Sequence, residues 1–155
     1  MEPLNHALVN VPADRVRLHV YWGNYEGPHT HDIPLVKILP IALNAKPQAL
    51  VLEAANPGAQ ARLGTLGNPR QDPGTGFISS TVNYIEHPEV VSQRILRYAN
   101  LVGRDRVNAG SDCGFGTFAG FGPIYPPFCW MKLRSLAEGA EIASKKRSGR
   151  AGSAN

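Results

Sequence analysis

Strand-like starts recur along this chain at nearly even intervals, and that rhythm restricts the fold more than any other feature. The first is Val16–Trp22, where Leu18, Val20 and Trp22 alternate with Arg17, His19 and Tyr21. The second, Ala49–Glu53, is a short apolar run closing on a carboxylate, and the third is Gly76–Ser80. The fourth is Arg106–Asp112, which runs into Cys113 and a glycine-rich segment. Starts near 16, 49, 76 and 106 lie 33, 27 and 30 residues apart. Antiparallel strands can be joined by two residues, whereas a parallel crossover needs a dozen or more, usually a helix. The spacing therefore predicts four βα units in a parallel sheet.

The intervening segments fit that reading. Asp32 is placed to cap a helix over Ile33–Leu43, with Pro34 in its first turn and Pro40 expected to kink or end it. Pro88–Val102 starts on Pro88 and Glu89, stops at Gly103, and repeats Val91, Ile95, Tyr98 and Val102 at the helical period. Pro127–Lys146 carries Trp130, Leu133, Leu136, Ala137 and Ala140 as an apolar stripe. Pro57–Thr75 holds four glycines and no sustained apolar period, and is read as irregular. Residues 1–14 read as a leading segment, 15–146 as one domain, and 147–155 as a disordered basic tail. A closed eight-unit barrel takes about 250 residues. These 155 residues hold about half of that, as an open α/β layer or a piece of a barrel.

Charge and composition narrow the function. The net charge of +4 is matched by Lys145, Lys146, Arg147 and Arg150 near the C-terminus, so the rest of the chain is balanced. No basic face is implied, and a nucleic-acid partner is not expected. The longest apolar stretch, Ile38–Leu43, is interrupted by Pro40 and far too short to cross a bilayer, so no membrane partner is expected either. No signal-peptide pattern opens the chain, and two cysteines, Cys113 and Cys129, cannot build a disulfide framework. A reducing cytoplasmic setting is the simplest expectation, with cysteine free to act as a thiolate.

Three strand ends carry side chains of metal-binding type: His19, Glu53 and Cys113. In a parallel α/β sheet all strand C-termini emerge on one face, where sites are built. An imidazole, a carboxylate and a thiolate suit Zn²⁺, which takes mixed nitrogen, oxygen and sulfur ligands and can keep one position open. The same three residues also fit ordinary polar strand ends, and spacing alone leaves both readings open. His29 and His31 form a second cluster in a turn or loop, equally suited to a surface pair beside the helix start. His87 sits where a helix cap is expected, and Cys129 beside Trp130 reads as a small core residue. The glycines around Cys113 allow a close backbone approach to a ligand, but no Gly-Lys-Ser/Thr follows as in a phosphate-binding loop.

Four segments carry a family resemblance. They are Leu18-His19-Val20-Tyr21-Trp22-Gly23-Asn24-Tyr25-Glu26-Gly27-Pro28-His29, Leu52-Glu53-Ala54-Ala55-Asn56-Pro57, Asn83-Tyr84-Ile85-Glu86-His87-Pro88-Glu89, and Gly110-Ser111-Asp112-Cys113-Gly114-Phe115-Gly116-Thr117-Phe118. In this order, over about 16–143, the chain resembles the C-terminal, zinc-binding domain of the cobalamin-independent methionine synthase family. It is most similar to the shorter single-barrel relatives called methionine synthase II-like proteins, which include epoxyalkane:coenzyme M transferases.

The resemblance implies the C-terminal half, about four βα units, of a TIM (β/α)8 barrel, with zinc at the C-terminal ends of the strands. Carried over, the zinc ligands fall on His19, Glu53 and Cys113, while the position of a further family cysteine is Tyr21. A third-strand acid, Asp-x-His in methionine synthases proper, falls on Ser79 and Thr81. The implied reaction is zinc-dependent transfer of a methyl or alkyl group from a small-molecule donor to a substrate thiol, as from a methylated folate to homocysteine in methionine biosynthesis. Asp112 would contact the substrate amine or a ligand N–H, and Asn24, His29 and His31 would line the pocket. The alternative is an inactive fragment or a half-barrel interaction module. Four units leave two sheet edges unpaired and are expected to expose a flat apolar inner face, so self-association or pairing with a complementary half is expected.

Overall fold

The computed structural model describes residues 1–21, 30–55, 72–116, 119–120, 122 and 124–151. Its strands are β1 (Arg17–Val20), β2 (Ala49–Glu53), β3 (Asp72–Ile78) and β4 (Asn108–Ser111). Its α-helices are α1 (Glu2–Ala7), α2 (Leu35–Ala42), α3 (Pro88–Val102) and α4 (Pro126–Ala151). All four strands pair in parallel in the order β1-β2-β3-β4. The expected parallel α/β architecture is therefore the observed one, with helices following β1, β3 and β4 among the described residues.

Alternation along the strands sorts side chains to two faces. Leu18, Val20, Leu50, Leu52, Phe77 and Ala109 point toward the helices and join a core with Leu35, Leu39, Val91, Ile95 and Tyr98. Phe77 meets Tyr98 edge to face, ring centroids 5.6 Å apart. The opposite face differs from the flat apolar surface expected from the sequence. It presents Arg17, Val51, Gly74 and Asn108 around one hollow, and higher up His19 and Glu53. With its amide oriented to satisfy both groups, Asn108 accepts from both terminal nitrogens of Arg17, at 3.0 and 3.1 Å. Those residues belong to opposite edges of the sheet, so the sheet is strongly curled.

Several local expectations are corrected. Helix α2 begins at Leu35 behind Pro34 with no side-chain cap, so Asp32 lies too early to cap it, and Pro40 is accommodated inside the helix. Strand β3 starts at Asp72, inside the stretch read as irregular, of which residues 57–71 lie outside the described residues. Proline and glycines make Asp72–Ile78 a poor strand by propensity, but neighbours pair with it on both sides. Helix α4 continues past the boundary placed at 146, to Ala151. The leading residues are tied down: Asn5 Nδ2 donates to Asn44 O at 2.9 Å, and Lys46 Nζ donates to Leu8 O at 2.6 Å.

Helix α3 matches its sequence limits, with Val91, Ile95, Tyr98 and Val102 buried and His87 Nδ1 accepting from Glu89 N at 3.2 Å. Helix α4 buries only part of the stripe expected of it: Leu136 and Ala140 pack, half-buried, against the core. Trp130 is 74% exposed and Leu133 is exposed too, while Lys132, Ser135, Gly139 and Ala143 face inward. The reason is close packing against α3: a β-carbon at Gly139 would stand 2.6 Å from Val91 Cβ. At Gly139 itself no side chain fits. Cys129, read as a core residue, is only partly buried.

A buried ion pair joins this helix to the segment after β3. Lys132 Nζ lies 2.7 Å from Glu86 Oε2, with both side chains almost fully buried. Glu86 Oε1 accepts from Ser79 N at 2.7 Å, and Ser135 Oγ donates to Glu86 O. Removing one partner of a buried pair leaves an uncompensated charge and costs about 3–5 kcal/mol, whereas replacing both can be nearly neutral. Lys132→Met should lower unfolding stability by about that amount, and Glu86→Gln with Lys132→Met should recover most of it. Denaturant titration of both variants checks this; a double variant no better than the single one contradicts it.

Candidate metal centre

Three of the four strands bring a residue to the same rim because all four run in one direction. His19 lies in β1, Glu53 ends β2, and Cys113 follows β4 by two residues. Cys113 donates to Glu53 Oε1 at 2.9 Å and lies 3.4 Å from His19 Nε2. One ligand atom from each of the three falls within 4.8 Å of the others, the arrangement needed to hold a metal ion. Tetrahedral zinc with its usual bond lengths of about 2.0–2.3 Å places neighbouring donors roughly 3.3–3.6 Å apart. The His19–Cys113 separation matches that, and the shorter Glu53–Cys113 contact is that of a thiol donating to a carboxylate. The donor set fits zinc: a neutral imidazole, a carboxylate and an ionisable thiol, with Glu53 buried and His19 exposed.

Other candidates separate from this cluster. His31 is exposed, and its ring is not among the donor atoms that converge. Asn24 and His29 lie outside the described residues. Tyr21, directly after β1, is 52% exposed. Ser79 and Thr81 follow β3, where their hydroxyls approach each other at 3.3 Å, so these two positions supply no carboxylate.

Asp112, expected to touch a substrate amine, is 2% exposed. Its Oδ1 accepts from Ala54 N at 2.9 Å and from Ala55 N at 3.0 Å. Burial pushes its carboxyl up to about 7, the two amide hydrogen bonds oppose that rise, and the charge of Glu53 adds to it. Sequence reasoning missed this use of Asp112, and also the Glu86–Lys132 pair. An aspartate before a cysteine signals no partner, and a lysine in a long helix is ordinarily solvated.

No protein-family model matches the chain, and no curated protein matches it. Among solved structures, the chain is similar to a B12-independent methionine synthase from Shewanella sp. W3-18-1, determined in complex with selenomethionine. The two superpose with a TM-score of 0.73 at 17% sequence identity, over 94% of this chain and 43% of that one. The chain thus spans less than half the length of that enzyme. At this identity the likeness establishes the fold: a parallel sheet with alternating helices, matching part of a methionine synthase TIM barrel.

Proposed function

We propose that the chain holds zinc through His19, Glu53 and Cys113 and transfers a methyl or alkyl group to a small-molecule thiol. The observation that carries this reading is the convergence of three chemically distinct donors, from three separate chain segments, within 4.8 Å. Support also comes from the fold likeness to a methionine synthase. When bound, zinc keeps a coordinated thiol ionised at neutral pH, which makes its sulfur a nucleophile toward a methyl or alkyl carbon. Glu53 and ionised Cys113 offset both charges of the ion, and His19 adds a neutral donor. Three protein ligands leave a fourth position for the substrate sulfur, as catalytic zinc sites do. The proton that Cys113 shares with Glu53 must leave when the site fills, so affinity should rise with pH.

A second reading, a metal-holding module without turnover, is favoured by two features. Tyr21 occupies the position where the resembled family has a further cysteine, and Ser79 and Thr81 supply no acid. Metal analysis together with a thiol-alkylation assay separates the two. Purified chain should carry one zinc, lost in Cys113→Ser. Zinc with no alkylation of any thiol tested selects the second reading, and absence of zinc contradicts both.

Tyr21 supplies a sharper test. If β1 continues its alternation, residue 21 lies on the same face as His19. Tyr21→Cys should then tighten zinc binding by at least tenfold in competition with a chromophoric chelator. Unchanged affinity would place residue 21 away from the metal.

The partners we propose beyond the thiol and the carbon donor are a second copy of the chain or a complementary half-barrel. Among the described residues, β1 and β4 each pair on one side only. Light scattering should report a mass above that of one chain, or denaturant titration should show uncooperative unfolding of the isolated chain. A monodisperse, cooperatively unfolding monomer contradicts this.

A further inference from the structure

We infer that Asp112 is a positioning residue: its carboxylate crosses over Gly76 to clamp the backbone after β2, and so sets the separation of Glu53 and Cys113. The inference rests on the zinc reading above and concerns what holds the ligands in place. Glu53 and Cys113 are not on adjacent strands, because β3 lies between them. Asp112 bridges that gap at one point. Its N–H donates to Ile78 O at 2.9 Å, which fixes it to β3. Its Oδ1 receives the N–H groups of Ala54 and Ala55, the two residues immediately after Glu53. One side chain thereby ties the residue after one ligand to the residue before the other.

The crossing exists only because residue 76 has no side chain. Gly76 pairs with Glu53 on one side and Gly110 on the other, at the level where Asp112 passes over. A β-carbon there would overlap Asp112 Oδ1, Cα and N. Two of those three atoms are backbone, so a rotamer change cannot relieve the clash. The β3–β4 register also slips between Gly76 and Ile78, which marks the place where the strand yields to this contact. Near-complete burial of Asp112 fits a structural clamp and leaves almost no surface for substrate.

Clamping needs an acceptor oxygen and no charge, whereas a substrate-amine contact needs the charge. Asp112→Ala and Asp112→Asn therefore separate the two in the full chain. Asp112→Ala should weaken affinity for zinc alone about 10–100-fold, the usual cost of removing a group that orients a metal ligand. It should also lower hydrogen-exchange protection at the Ala54 and Ala55 amides. Asp112→Asn should keep the protection and stay within about threefold of wild-type affinity, and Gly76→Ala should reproduce Asp112→Ala.

The inference is overturned if Asp112→Ala binds zinc like wild type, or if Asp112→Asn is as damaged as Asp112→Ala. Should Asp112→Ala fail to fold, the Asn variant decides by the same two readouts. If wild-type protein binds no zinc, the functional reading fails, while exchange at Ala55 in wild type, Asp112→Ala and Asp112→Asn still decides the clamp.

Discussion

In a flat parallel sheet, strands lie about 4.8 Å apart, so the edges of a four-stranded sheet are separated by roughly 14 Å. Here β1 and β4 are those edges, yet His19 Nε2 stands 3.4 Å from Cys113 Sγ and Arg17 reaches Asn108 at 3.0 Å. Curling of the sheet therefore makes the site. It turns four strand ends into one rim and lets a residue near the start of the sheet meet one just past its end. Gly74 and Gly76, on β3 between the edges, carry no side chains to fill the hollow, and arms from β1, β2 and β4 meet over them. A similar arc within a larger barrel occurs in the methionine synthase that the chain resembles in fold.

Helices hold the curl from outside. The apolar sides of β1, β2 and β3 close on α2 and α3, and α4 packs tightly along α3 through Gly139. Polar ties then secure the strand ends where apolar packing gives no direction. Glu86 fixes Ser79 N and is itself anchored by Lys132, and Arg94 Nη1 donates to Phe77 O at 2.8 Å. Metal chemistry demands such order, since ligand placement that is loose by 1 Å loses function before it loses the fold.

Much of this was legible in the sequence because it rested on periodicity and strand polarity. Spacing of the strand starts foretold a parallel α/β sheet, and α3 announced itself by Pro88, Gly103 and four apolar residues at helical spacing. His19, Glu53 and Cys113 stand out as reactive side chains at three of the four strand ends. Illegible features were those decided by tertiary contact. Asp72–Ile78 contains Pro73, Gly74 and Gly76, so its strand character comes from neighbours rather than from propensity. The inward face of α4 is set by how closely α3 approaches, which hides Lys132 and Gly139 and exposes Trp130. Asp112 reads as a ligand-facing carboxylate, because nothing in a linear pattern says that Gly76 lies beside it and leaves room for it to turn across the sheet.

The central claim is that one sulfur, one nitrogen and one oxygen from three strand ends grip the same ion. X-ray absorption at the zinc edge, on thiol-free protein loaded with zinc, reads that ligand set directly. The account predicts a single sulfur at about 2.3 Å with the remaining scatterers being nitrogen or oxygen at about 2.0–2.2 Å. A shell without sulfur, or one with two sulfurs drawn from both Cys113 and Cys129, would contradict it.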